Sequence, residues 1–128
     1  MNLLLDTHTL FWWQIKSGQL AQNAADAIKD RNNEVVVSVV TAWEIAIKVG
    51  LGKWPEAEDL IKDFEGILQR AQFSLLLPSV THVRQAGLMV ANHRDPFDRL
   101  LAAQASIEGL SLVTADARLA ALGAPVLW

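Results

Sequence analysis

M-N-L-L-L-D, residues 1–6, sets three consecutive leucines against a closing aspartate. A strand with one wet face alternates apolar and polar residues. Leu3, Leu4 and Leu5 do not alternate, so a strand over Asn2–Leu5 has to bury both faces, as strands of a parallel sheet do when helices cover both sides. Val35–Val39 and Leu110–Val113 read the same way, and Ser74–Leu77 and Pro125–Leu127 are weaker runs of the same kind. Helical patterns separate them. Over Glu56–Ala71, Leu60, Ile61, Phe64, Ile67, Leu68 and Ala71 form one stripe at helical spacing. Ala21–Arg31 carries Ala24, Ala25 and Ile28 on one face, and Thr41–Gly50 opens on T-A-W-E, a capping-box pattern. Ser79–Asn92, Asp95–Glu108 and the short Asp116–Leu122 complete the set, with Gly109 stopping the second of these. Strands alternating with helices predict an α/β fold: an α/β/α sandwich around a mostly parallel sheet of about five strands, with residues 1–128 as a single domain.

The composition bounds the function. The chain has 128 residues, 52% of them apolar and 20% charged, which predicts a packed core rather than disorder. It has no cysteine, which excludes a disulfide framework and thiolate metal sites and fits a reducing, cytoplasmic setting. The opening apolar run is three residues long and has no basic segment before it, so it does not read as a signal peptide. No run approaches the length of a membrane span. The net charge of −3 counts against a general nucleic-acid binder. It leaves room for a metal-dependent nuclease, whose acids concentrate at the active site.

The acids fall in telling places. Asp6 follows the first strand, Glu44 lies in the first turn expected after the second, and Asp116 follows the late strand in S-L-V-T-A-D. Ligands of open α/β sheets bind outside the carboxyl ends of the strands. Asp98, in D-P-F-D at 95–98, joins the others if its helix starts at that edge. Each acid also has a purely structural reading. Glu44 closes a capping box with Thr41, Asp98 opposes the positive end of its helix, and Asp116 caps the last helix. Asp6 resists such a reading, because a carboxylate directly after three leucines is shielded from water and needs a partner. Four carboxylates in one cleft repel one another unless a cation neutralises them. Oxygen ligands suit Mg²⁺ or Mn²⁺, which activate water against a phosphodiester.

L-L-D-T-H-T-L at 4–10, A-W-E-I at 42–45, D-P-F-D-R-L-L-A-A-Q-A at 95–105 and L-V-T-A-D at 112–116 together resemble the PIN-domain ribonucleases, and among them the VapC-type toxins of bacterial toxin–antitoxin pairs. The resemblance spans nearly the whole chain in order. It implies a metal-dependent endoribonuclease whose acidic site is Asp6, Glu44, Asp98 and Asp116, with Asp6 and Asp98 as principal ligands of Mg²⁺ or Mn²⁺. Thr114 matches the hydroxyl position before the last acid, where it orients a carboxylate or a metal-bound water. Asp95 is the extra acid of the D-P-F-D variant and is read as the N-cap that turns Asp98 toward the cleft. The implied partners are an RNA substrate, a VapB-like antitoxin laid in an apolar groove, and a second copy in a homodimer, with no membrane.

Other residues have two readings each. His8, His82 and His93 raise metal-free acid–base cleavage of RNA, but their spacing fits no local motif. Lys48, one turn after Glu44, is an ion-pair partner for it. Arg94 and Arg99 flank the aspartates and either hold phosphates or solvate a helix start. Lys53 and Trp54 sit in a turn that meets RNA or a partner. Trp12 and Trp13 are adjacent and cannot both point straight into the core, which leaves room for one at the surface; core packing is the commoner role for most of the five tryptophans, and an exposed aromatic patch would suit an interface. An aspartyl phosphotransferase would want D-x-D where D-T-H stands. A receiver domain would want paired early acids and a late lysine, and a nucleotide-binding module a glycine-rich loop. The remaining alternative is a catalytically weak PIN-like interaction domain.

Overall fold

The computed structural model describes residues 1–128. In chain order it forms β1 (Asn2–Leu5), α1 (Thr7–Ile15), α2 (Gln22–Lys29), β2 (Glu34–Ser38), α3 (Val39–Gly50), α4 (Glu58–Lys62), α5 (Phe64–Ala71), β3 (Ser74–Leu76), α6 (Val80–Leu88), α7 (Pro96–Glu108), β4 (Ser111–Val113) and β5 (Val126–Leu127). Short 3₁₀ segments cover Pro55–Ala57 and Ala117–Leu122. All five apolar runs are strands of one sheet in the order β3-β2-β1-β4-β5, and every pairing is parallel. The chain builds outward from β1 through β2 to β3, then returns to place β4 on the other side of β1. Connections leaving β1 and β4 therefore diverge, which opens a crevice outside their carboxyl ends.

The lack of alternation in the strands is explained by two cores. Leu3, Leu5, Val35, Val37 and Val113 point to one face, where Leu10, Phe11, Ile45, Phe64 and Leu68 of the helices cover them. Leu4, Val36 and Leu112 point to the other, under Leu101, Ala102 and Ala105 of α7 and Leu119 and Leu122. Burying both sides of β1 leaves all three leucines without solvent contact. The result is the expected α/β/α arrangement.

Three local readings need correction. Residues 7–15 form a helix that shows no single apolar stripe. Leu10 and Phe11 enter the core, while Trp12 packs on Trp128 and Trp13 on Phe73 at centroid distances of 5.7 and 6.1 Å, so apolar residues lie on several sides of α1. Neither Trp12 nor Trp13 is fully exposed; Trp43, 61% exposed, is the tryptophan at the surface. The stripe over 56–71 is not one helix. Asp63 leaves helical geometry between α4 and α5 and its side chain pairs with Arg70 at 2.6 Å, yet Leu60 and Phe64 still reach the same core. Helix α3 begins at Val39 rather than Thr41. Ser38 is its N-cap, accepting from the Val40 amide at 3.1 Å, so T-A-W-E lies inside the helix and is not its start.

Candidate active site

Asp6 takes the residue between β1 and α1. Its backbone is extended, its amide donates to the Val113 carbonyl at 3.1 Å, and its Oδ1 accepts from the Thr9 amide at 2.8 Å as the N-cap of α1. The Thr9 hydroxyl also donates to the Val113 carbonyl, at 2.9 Å, so the ends of β1 and β4 are stitched together around this carboxylate. Burial pushes the Asp6 carboxyl above its ordinary range, and hydrogen bonds from Thr114 and Thr9 pull it part of the way back.

Glu44 is 5% exposed and lies in the second turn of α3, a consequence of the early helix start. The Thr7 hydroxyl donates to its Oε1 at 2.7 Å, and Lys48 Nζ stands 2.6 Å from its Oε2. The capping-box role with Thr41 is therefore absent, and the expected pairing with Lys48 is present. Lys48 in turn lies 5.8 Å above the Trp54 ring.

Asp98 occupies the first turn of α7. Asp95 is the N-cap, its Oδ1 accepting from the amides of Phe97 at 2.9 Å and Asp98 at 3.4 Å. Pro96 at the first helical position has no amide to leave unsatisfied. Burial raises the Asp98 carboxyl; a hydrogen bond with His93 opposes the rise, while Asp95 and Glu44 add to it by repulsion. His93 Nε2 lies 2.7 Å from Asp98 Oδ2.

Asp116 caps the following 3₁₀ segment, accepting from the Arg118 amide at 3.0 Å, and its amide donates to the Thr114 hydroxyl at 3.0 Å. The Arg118 guanidinium grips both carboxylate oxygens, at 3.0 Å through Nε to Oδ1 and 2.7 Å through its terminal nitrogen to Oδ2. That hydrogen-bonded guanidinium holds the Asp116 carboxyl below its ordinary range.

These residues form one constellation. Thr114 is buried and links Asp6 to Asp116. One ligand atom each from His93, Asp98 and Asp116 lies within 4.8 Å of the others, and Asp98 feels the charge of Glu44. All five residues singled out for the site lie near the carboxyl edge of the sheet, but the compact donor group takes in only Asp98 and Asp116 of them, with His93; Asp6 and Glu44 lie outside it. His93 and Thr7 were not foreseen there. Thr7 is adjacent to Asp6 and was visible as a hydroxyl beside an acid; His93 was raised only as one of three histidines for metal-free cleavage, and its place beside Asp98 depends on the folding of the 89–95 loop. The other histidines are engaged elsewhere. His8 stacks on Trp54 at 4.9 Å, and the buried His82 closes a capping box with Ser79 and contacts Glu108 at 2.9 Å.

The two arginines differ. Arg99 neither reaches into the crevice nor faces water freely. It donates to the carbonyls of Ala86 at 3.0 Å, His93 at 3.5 Å and Met89, bracing the loop that carries His93. Arg94 is exposed beside it. Trp54 is packed against Phe11 and His8 rather than presented to a partner.

The donor set is dominated by carboxylate oxygens, with one imidazole and one buried hydroxyl, and it fits a hard divalent cation. Three of the four carboxylates already hold a basic side chain of the same chain: Glu44 with Lys48, Asp98 with His93 and Asp116 with Arg118.

Comparison with known proteins bears on the same edge. The PIN-domain family model matches residues 3–125. Ribonuclease VapC22 of Mycobacterium tuberculosis is 29% identical over 118 residues, 92% of this chain and 89% of that protein. Among solved structures, a chain of VapBC2 from Rickettsia felis, bound to a DNA fragment from its promoter, superposes with a TM-score of 0.72 at 16% identity, covering 99% of this chain and 98% of its own. A chain of VapBC-1 from nontypeable Haemophilus influenzae gives 0.68 at 17% identity, covering 99% and 97%. These likenesses show the fold. With all but the extreme ends of the sequence matched and the acids gathered where the strand order reverses, this chain belongs to the PIN-domain family.

Proposed function

We propose that this chain is a divalent-metal-dependent endoribonuclease and the toxin of a toxin–antitoxin pair. The observation that carries the reading is the convergence of Asp6, Glu44, Asp98 and Asp116, with Thr114, on one edge of a PIN-type sheet. Its likeness to a VapC ribonuclease supports the substrate class. In this reading Asp6 and Asp98 are the principal ligands of Mg²⁺ or Mn²⁺, and Asp116 and Glu44 complete the acidic set. Such a cation, when bound, activates water and neutralises charge on the phosphodiester. The chain's own part is positional. Thr114 orients Asp6, Thr7 and Lys48 fix the rotamer of Glu44, and the Asp95 cap starts α7 where Asp98 faces the crevice.

The same reading assigns partners: a VapB-like antitoxin and a second copy in a homodimer. It is supported by the VapBC complexes among the structural neighbours and by exposed apolar side chains at Leu77, Val80, Val83, Leu88 and Val90, between β3 and α7. The deciding experiment uses a short end-labelled RNA with and without chelator. Cleavage that stops in chelator, returns with Mg²⁺ or Mn²⁺ and leaves 5′-phosphate and 3′-hydroxyl ends is expected. Cleavage that persists in chelator and leaves 2′,3′-cyclic phosphate moves the chemistry to the histidines, and tight RNA binding without turnover selects the interaction-domain alternative.

A further inference from the structure

The acids at the sheet edge do not account for His93. Its ring is 12% exposed, and its Nε2 points at Asp98 Oδ2 from 2.7 Å. The loop that carries it is braced by Arg99, which donates to the carbonyls of Ala86, Met89 and His93 itself. A histidine that merely solvated a helix start would need no such bracing. A ring nitrogen of His93 lies within 4.8 Å of a carboxylate oxygen of Asp116 as well as of Asp98. Two donors of one octahedral ion stand about 3 Å apart when adjacent and about 4.2 Å apart when opposite, given ligand bonds of roughly 2.1 Å. The three donors, all within 4.8 Å of one another, would have to draw together to take up that spacing around one ion. Arg118, which now holds Asp116, is 72% exposed and turns away into water at little cost.

We infer that His93 is a nitrogen ligand of the metal site, completing a mixed nitrogen–oxygen set with Asp98 and Asp116, and that it biases the site toward Mn²⁺ over Mg²⁺. The inference rests on the metal-dependent reading above and sharpens it. Mg²⁺ takes oxygen donors almost exclusively and dehydrates reluctantly. An imidazole adds little to its binding but strengthens binding of first-row transition ions. In the metal-free protein the imidazole and the Asp98 carboxylate satisfy each other. A cation held by both would displace the proton of that hydrogen bond to solvent.

The test reads the bound metal directly. The full-length protein is loaded with Mn²⁺ and studied by pulsed EPR. Nitrogen modulation from a coordinated imidazole is expected, and it changes character when the protein is labelled with ¹⁵N-histidine. It persists in His8→Gln and His82→Gln and disappears in His93→Gln. Titrations of each protein with Mn²⁺ and with Mg²⁺ give the second readout. His93→Gln is expected to weaken Mn²⁺ by about tenfold and to leave Mg²⁺ within about twofold; His93→Asn checks the result in case the glutamine variant is poorly folded. Mn²⁺ that binds wild type, is lost in Asp98→Asn and shows no nitrogen coupling overturns the His93 assignment while leaving the acidic metal site intact. Equal weakening of both metals in His93→Gln also overturns it, because a residue that only orients Asp98 affects both alike. A wild-type protein that binds neither metal overturns both this inference and the metal-dependent reading beneath it.

Discussion

Asp6 and Asp116 each follow a strand of the same sheet and each cap the segment that comes next, yet their carboxyls move in opposite directions. Asp6 is half-buried among neutral donors, the Thr9 amide and the Thr114 hydroxyl, and burial dominates. Asp116 is more open and grips a guanidinium, and that partner dominates. Position after a strand brings an acid to the crevice. Its neighbours decide whether it waits there uncompensated or arrives already paired. In this molecule the end of the crevice between β1 and β4 waits, and the end built by α7 and the last 3₁₀ segment is self-neutralised.

The strongest test of that contrast is Asp6→Asn. Asparagine keeps an oxygen to accept from the Thr9 amide and removes the charge. Turnover is expected to fall by at least about 100-fold, the scale on which even outer-shell losses register. Stability should move the other way. A carboxyl whose folded pKa is raised above its ordinary value of 3.8 binds its proton more tightly in the folded state, so stability drops as pH climbs from that value through the raised one. Asp98 contributes a slope of the same sign. In chelator at pH 7, Asp6→Asn should therefore be at least as stable as wild type, with a flatter fall between pH 4 and pH 7 in urea titrations. A variant less stable at pH 7 would show that the Asp6 charge supports the fold.

Thr114→Val keeps the shape of the side chain and removes the hydroxyl that joins the two ends. Metal affinity and turnover are expected to drop by roughly 10–100-fold, with about 1 kcal/mol of stability lost with the hydrogen bonds. An effect on stability alone would separate Asp6 from Asp116 and break the constellation as described.

Asp95→Ala removes a cap and leaves the crevice its acids. About 1 kcal/mol of stability should be lost, with turnover within a few-fold of wild type. Asp98→Ala should show the reverse pattern in paired melting curves and cleavage rates. The smallest effect is expected of Arg118→Gln. The Asp116 carboxyl should titrate closer to its ordinary value when followed by NMR, and metal affinity should rise a few-fold because a competing cation is gone. Unchanged titration would mean that Arg118 does not hold Asp116 in solution.

Most of this architecture was legible because strands buried on both faces announce themselves as unbroken apolar runs, and an acid closing such a run is conspicuous. The failures have physical causes as well. Helix α1 is packed on several sides, so it shows no stripe. Val39 extends a run of valines that reads as strand, and only the Ser38 cap reveals that the helix has begun. Asp63 breaks a helix without disturbing the apolar spacing, because both halves still reach one core. His93 is held by an arginine bonding to backbone carbonyls, and such a contact leaves no residue-type pattern to read. Side chains that meet through the main chain are the ones that sequence patterns miss.

The stitch between Thr9 and the Val113 carbonyl spans 104 positions of sequence. It also fixes when the site comes into being. Until β4 slots in beside β1, Asp6 lacks the hydroxyl of Thr114 and Asp98 lacks Asp116 across the crevice. No fragment ending before β4 contains a working constellation, however well β1, β2 and β3 have paired. Distant pairings are the slow step in forming a parallel sheet. Metal affinity should accordingly recover in the last phase of refolding, after tryptophan burial is largely complete. A chain built this way holds no complete acidic site while β4 is missing, and gains one only when residues 111–116 join the sheet.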